Sequence, residues 1–325
     1  MISRVKLMRW PVCLAIIFAA SASACHGSAE SPAGPSATAA VMADIARPFK
    51  VATWNIRSGM GIRGFATTGW SSDTQNCTDR SQPLNAWGMG LPQAELERIK
   101  SDRQIIAFGL QEAWHCGSPA NVNSVLGFKT ASAERNGTAL IARYGFSGAV
   151  KYQEFDTKAN QWLIGGDVCM DAACTSTIPI FAAHFGDTSD DEIPTQAQRV
   201  LDLLSASGTP RLFMGDLNVF QVDQWNPRVP CTGQDAPGRL RTRALIESAG
   251  YTDAWKATQS GEGWTGMATR NGCGTPNGNL YKRIDYVYSL GLRVMSTDRF
   301  GRSAPGADSP SDHVGLIAEL MSTGS

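Results

Sequence analysis

The sequence is short of the residues and motifs that would mark several common chemistries. Only four histidines occur in 325 residues, and neither HExxH nor CxxC is present. A zinc protease or zinc ribbon therefore finds no ligand set. There is no GxSxG, which removes the nucleophile elbow of a serine hydrolase. Neither sign of charge is in excess, since 29 Lys and Arg face 29 Asp and Glu. That balance argues against a protein that holds nucleic acid mainly by clustered cations and counterion release. It leaves room for an enzyme that only visits a phosphodiester. No apolar run reaches the ~20 residues of a bilayer-spanning helix, and no internal repeat is visible. The remaining composition, 42% hydrophobic and 18% charged with 33 Gly and 16 Pro, excludes collagen, coiled coil and wholesale disorder.

The first 24 residues read as a signal for export. Arg4, Lys6 and Arg9 form a positive start, Trp10 to Ala20 a short apolar stretch, and Ala22-Ser23-Ala24 a small-residue cleavage site. Their removal leaves 26 basic against 29 acidic groups, a net charge of −3. Cys25 directly after Ser23-Ala24 resembles a bacterial lipoprotein processing site, with that cysteine acylated. Ordinary signal cleavage after Ala22 or Ala24 is the alternative. Residues 25–47 are built largely from Ser, Ala, Gly and Pro, cannot bury a core, and read as a flexible tether. The protein is thus expected outside the cytoplasm, as a periplasmic or cell-surface lipoprotein or a secreted protein.

Cysteine usage agrees with export. Six cysteines follow the signal and Cys25: Cys77, Cys116, Cys169, Cys174, Cys231 and Cys273. An even number in an oxidising compartment points to three disulfides. Cys169 and Cys174, in CMDAAC, are close enough to close a small loop.

Residues 48–322 read as one domain. Short apolar runs recur as FKVATWNI, QIIAFGL, TALIARY, TIPIFAAHF, RLFMGDL, RIDYVY and VGLIAEL, each bounded by Gly, Asn, Asp or Pro. They have the length and borders of buried strands. Helices are predicted over Gln93–Lys100, Pro194–Leu204 and Arg239–Ala249, the last stopped by Gly250. Ser58–Leu91 and Trp255–Leu280 look like loops. Strands with helices on either side predict a layered α/β sandwich.

Polar residues fall where a core would not choose them. Asn55 follows VATW, Glu112 follows IIAFGLQ, and His184 follows IFAA. Asp216 and Asn218 follow LFMG, Asp285 lies inside RIDYVY, and Asp312-His313 precedes VGLIAEL. One such residue is an ordinary turn former. So many carboxylates, amides and imidazoles at strand ends predict a site on one rim, where ligand sites of layered α/β folds lie.

WNIR (54–57), LQE (110–112), AAHF (182–185), MGDLN (214–218), RIDYV (283–287) and SDH (311–313) occur in that order. Together they resemble the endonuclease/exonuclease/phosphatase superfamily, the DNase I-like enzymes. The resemblance implies a four-layered α/β/β/α sandwich and an Mg²⁺-dependent phosphodiesterase, with Mn²⁺ as a substitute. It implies Glu112 as principal metal ligand, with Asn55 beside it and Asp312 as a further contact. Asp216 would orient or deprotonate the attacking water, and Asn218 would hold a phosphate oxygen. His313, fixed by Asp285, would be a general acid/base tuned toward neutrality, and His184 would face the scissile phosphate. Arg57 is a phosphate contact in this reading. Asn136 joins it, standing where DNase I-like nucleases pair a Glu with the first His. The resemblance also implies the Cys169–Cys174 and Cys231–Cys273 disulfides, with Cys77–Cys116 as the remaining pair.

The interval of 57 residues from Asn55 to Glu112 exceeds that of compact members. Its extra length, with Trp70, Trp87 and Cys77, is either a disulfide-tied surface loop or a wall that selects substrate. The expectation is an exported endonuclease acting on DNA, as a monomer. A phosphatase or phospholipid phosphodiesterase (inositol phosphate or sphingomyelin) is the second enzymatic reading, and a non-catalytic surface lipoprotein the third.

Overall fold

A computed structural model describes residues 47–57, 90–114, 117–128, 131–156, 161–186, 192–219, 237–261, 263–267, 280–301 and 310–323. With strands numbered in chain order, the first sheet has the spatial order β13 (Leu292–Phe300), β14 (Gly315–Ser322), β1 (Phe49–Asn55), β2 (Ile105–Gln111), β4 (Thr138–Ala142) and β3 (Ala131–Arg135). The second runs β5 (Phe146–Asp156), β6 (Gln161–Cys169), β7 (Thr177–His184), β8 (Arg211–Asp216), β12 (Asp285–Leu290) and β9 (Thr252–Asp253). A short pair, β10 (Gly266–Met267) and β11 (Leu280–Lys282), completes the strands. In the two sheets only β1–β2 and β7–β8 are parallel, and these two pairs carry most of the site.

The alternation of side chains along each strand builds the layers. Val51, Ile106, Leu140, Ile180, Met214 and Val287 pack between the sheets. The intervening residues of the first sheet, among them Ala52, Trp54, Phe108 and Leu110, face outward. There they are covered by α1 (Gly90–Lys100) and α2 (Pro119–Leu126) through Leu96, Ile99, Val122 and Leu126. Phe181, Phe213, Tyr286 and Tyr288 do the same for the second sheet, under α3 (Glu192–Ser205) and α4 (Pro237–Ser248). On α3 the buried Ile193, Ala197, Val200 and Leu204 repeat at helical spacing, so one stripe meets the sheet. Each of the larger apolar side chains contributes roughly 1.5–3 kcal/mol on burial. The result is the four-layered α/β/β/α sandwich.

The seven apolar runs are all strands, and the three predicted helices are all present, the first two with slightly wider bounds and the third starting two residues earlier and ending one earlier. The remaining elements had weak signals. Edge strand β13 alternates Thr, Ser, Asp and Arg with a few apolar residues and is half exposed. β6 is interrupted by Gly165-Gly166, and a Cβ at Gly165 would overlap the Ile180 carbonyl and the Phe181 ring. α2 is only eight residues long and rests on its caps. Ser118 accepts from the Asn121 amide, Pro119 opens the helix, and left-handed Gly127 closes it. Within the expected loop Trp255–Leu280, residues through Thr258 belong to α5 (Ala254–Thr258), and Gly266–Met267 form β10. The predicted signal and tether (residues 1–46), the 58–89 segment, and Cys25, Cys77, Cys116, Cys231 and Cys273 lie outside the described residues. The Cys169–Cys174 disulfide is formed. Among the described residues no helix is long and apolar enough to cross a membrane.

Candidate active site

The alternation that fills the core also delivers the polar residues. Val51 faces the other sheet, so Asn55, four residues on, does too. Ile180 and Ala182 bring His184 to the same space, Leu212 and Met214 bring Asp216, and Val287 brings Asp285. Register then sets these residues side by side. His184 pairs with Asp216 across β7–β8, and Asp216 pairs with Asp285 across β8–β12. On the opposite sheet Asn55 pairs with Gln111, and Glu112 follows in a left-handed conformation with φ 49°. Gly215 has φ 147°, and a Cβ there would overlap the Ala183 carbonyl, so only glycine lets β8 approach β7 this closely.

The groups converge on one carboxylate oxygen. Asp216 Oδ2 accepts from Asn55 Nδ2 at 3.0 Å and lies 3.7 Å from Nε2 of both His184 and His313. Its Oδ1 accepts from the Asn218 amide at 3.0 Å, which fixes the carboxylate plane. His313 Nδ1 sits 2.9 Å from Asp285 Oδ2. Side-chain exposure rises from 0% at Asp285 through 12% at His184 to 18% at Asp312, so the cluster opens on the His184–Asp312 side.

Charge within the cluster is uneven. Burial alone would lower the His313 imidazole, but Asp285 and then Asp216 push it up to about 10. The carboxylates thus keep His313 basic, with Asp216 and Asp312 adding to the pull of Asp285. Burial raises the Asp285 carboxyl, against the pull of His313. Burial, followed by Asp312, also raises Glu112. At Asp312 burial works upward as well, yet Arg57 and His313 outweigh it and hold the carboxyl low.

Supporting contacts come from residues to which the sequence assigned no role, two of them, Trp54 and Ser311, inside the quoted motifs. Ser311 Oγ donates to the Asn55 carbonyl at 2.7 Å, and Trp54 Nε1 donates to the His313 carbonyl at 3.1 Å. Thr265 Oγ1 accepts from the Ile284 and Asp285 amides, while its carbonyl accepts from Val314 N. These are single polar residues, and only the folded chain reveals what they hold.

The other site expectations meet the structure as follows. Asn55 stands beside Glu112, but its Nδ2 faces Glu112 Oε1 at 3.1 Å while its Oδ1 accepts from the Arg57 amide. It serves the carboxylates as a hydrogen-bond donor and does not turn its oxygen to them. Asn218 Nδ2 donates to the Phe185 carbonyl at 3.0 Å. Arg57 is buried, with Nε 3.5 Å from Asp312 Oδ2. Asn136 is exposed in the β3–β4 turn, at φ 44°. The turn reaches the Glu112 segment through Ala113 N, which donates to the Gly137 carbonyl. The carboxylate across the strand from His184 is Asp216, with Oδ2 3.7 Å from Nε2.

Residues 52–313 match the Endonuclease/Exonuclease/phosphatase family. The chain belongs to this family. Comparison with curated proteins finds no match. Among solved structures, the family protein from Beutenbergia cavernae has a TM-score of 0.56 at 17% identity, over 85% of this chain and 72% of that one. The family protein from Bacteroides vulgatus gives 0.56 and 17%, over 85% and 99%. A D. rerio TDP2 complexed with single-strand DNA product gives 0.51 and 16%, over 84% and 98%. At such identity these likenesses concern the fold. As a member of the endonuclease/exonuclease/phosphatase family, the protein is a metal-dependent hydrolase of phosphoric esters.

The residues present suit a divalent cation. Glu112 is an acid whose ionisation is made costly by burial and then by the neighbouring Asp312. A cation between such hard oxygen donors removes that cost. Among the described residues, Asp216, Asp285 and His313 also bring one ligand atom each to within 4.8 Å of one another and could hold a metal ion.

Proposed function

We propose that the protein is an exported, Mg²⁺-dependent endonuclease that hydrolyses DNA by in-line attack of water. The observation that carries this reading is the meeting of Asn55, His184 and His313 on Asp216 Oδ2 beside the Glu112–Asp312 pair. Glu112 and Asp312 would hold Mg²⁺ or Mn²⁺, which when bound supplies positive charge to a phosphate oxygen. Asp216 orients a water and takes its proton as the water oxygen bonds to phosphorus. The phosphorus–oxygen bond to the leaving group breaks, and His184 gives that oxygen a proton. The His313 imidazolium, held by Asp285, and the second Nδ2 hydrogen of the Asn218 side chain stabilise the charge that builds on the phosphate. Arg57 steadies Asp312, and Asn136, exposed in the β3–β4 turn, would meet a substrate phosphate.

DNA is favoured because the disulfide formed at Cys169–Cys174 is one that DNase I-type members share. In addition, Trp255–Leu280 and Arg302–Pro310 are polar and Gly-rich, unlike a membrane-docking apolar hairpin. Purified protein lacking residues 1–24 should nick plasmid DNA faster than it cleaves RNA, sphingomyelin or inositol polyphosphates at equal Mg²⁺. Rising salt should slow it as phosphate contacts are screened. Turnover of a lipid or inositol phosphate with the plasmid left intact would overturn the DNA assignment.

The signal-like residues 1–24 support export, and Cys25 with its tether supports anchoring through an acyl chain. Radiolabelled palmitate should enter the wild-type protein in cells and be absent from Cys25→Ser. Equal labelling of both would remove the anchor from Cys25.

A further inference from the structure

Behind the catalytic row, on the helix-facing side of the second sheet, a buried network joins the two segments that carry Asp216 and Asp285. Arg283 Nη1 and Nη2 donate to Asp253 Oδ1 and Oδ2 at 3.0 and 2.7 Å, and both side chains are almost fully buried. Asp253 is fixed in turn as the N-cap of α5, accepting from the Trp255 and Lys256 amides. The Arg283 guanidinium lies 4.7 Å from the centre of the Tyr286 ring, so the pair sets the position of that ring. The Tyr286 hydroxyl donates to the Val219 carbonyl at 2.7 Å, with the Arg283 carbonyl at 3.2 Å as a second acceptor.

This hydroxyl closes a short circuit. One backbone bond already ties the segment after Asp216 to the start of β12, from Leu217 N to the Ile284 carbonyl at 2.9 Å. Tyr286 adds the second tie at Val219. Between the two lies Asn218, held left-handed at φ 50° with its amide capping Asp216 Oδ1. Tyr288 supplies a contrast two residues along the same face. Its ring stacks on Tyr286 with centroids 5.4 Å apart, and its buried hydroxyl has no hydrogen-bond partner among the described residues. Both rings pack against this face, but of these two β12 tyrosines Tyr286 is the one that donates its hydroxyl to the segment after Asp216.

We propose that Tyr286, backed by Arg283 and Asp253, is a positioning residue that fixes Asp216 and Asn218 relative to Asp285. The proposal rests on the reading of Asp216 as the group that activates water.

Tyr286→Phe removes one oxygen and keeps the ring, so the fold is retained and the tie is lost. Tyr288→Phe is the matched control. In Tyr286→Phe the Asn218 and Val219 amides should exchange hydrogen about tenfold faster or more, and kcat on plasmid DNA should fall about tenfold with KM within twofold, since small misplacements of reacting groups cost rate. Tyr288→Phe should leave both within twofold of wild type. Unchanged exchange at 218–219 in Tyr286→Phe would overturn the clamp. So would a kcat within twofold of wild type, or an equal loss of kcat in Tyr288→Phe. Asp216→Asn is run alongside. Full activity there would sink the reading of Asp216 and leave the exchange result to judge the clamp by itself.

Discussion

Asp216→Asn is expected to lower kcat by about 10³-fold or more while the protein stays folded, because the substitution removes base and charge together. The carboxylate is the point on which Asn55, His184 and His313 converge. An amide in its place sets a nitrogen or an uncharged oxygen against groups arranged for an anion. Asp216 also stands next to Asp285 in register and raises that residue's carboxyl, so part of its effect on the fold is repulsive. Loss of that repulsion is opposed by loss of the attraction to His313, so the unfolding temperature in metal-free buffer should change by only about a few degrees. Activity and stability therefore separate, which an ordinary core defect would not do. Steady-state kinetics and thermal unfolding on one preparation decide the matter. A variant that keeps a tenth of wild-type kcat would show that water activation lies elsewhere in the cluster.

The placement of these groups was legible in the sequence for a particular reason. Strands β1, β2, β7, β8 and β12 are buried on both sides, so each reads as a near-continuous apolar run, and a polar residue at its end stands out. Strands at the borders of the sheets, such as β5 and β13, carry polar faces and leave no comparable contrast. The second rank of the site was hidden for another reason. Thr265, Ser311, Asp253 and Arg283 are common residues in turns or at strand ends, and each acquires meaning from a partner far away in sequence. Arg283 is an instance: it lies inside the RIDYV motif, yet its buried pairing with Asp253 spans 30 positions. For His313 the sequence names Asp285 as its partner, and the folded chain adds Asp216 from β8 and the adjacent Asp312.

Glu112 should govern the metal, and two independent measurements can read this. Hydrolysis by the wild type should vanish in chelator and return with Mg²⁺ or Mn²⁺. Glu112→Ala should stay about 10³-fold below wild type or lower at any concentration of either ion, because Asp312 is then left as the one acid of the Glu112–Asp312 pair to hold it. The second measurement needs no substrate. In the metal-free protein Glu112 is pushed up by burial and by Asp312, so Glu112→Gln relieves like-charge crowding and should unfold at the same temperature as wild type or higher. Mg²⁺ binds the folded wild type and should raise its unfolding temperature. A ligand present at 100 times its dissociation constant adds about 2.7 kcal/mol. Glu112→Gln should lose most of that increment. Glu112→Gln should thus match or exceed the wild type in stability without the ion and fall below it with the ion, a pattern that general damage to the fold cannot produce. Full activity in chelator, or an equal Mg²⁺-induced rise in wild type and Glu112→Gln, would move the metal away from Glu112, and the buried Asp216–Asp285–His313 group would be the next place to look for it.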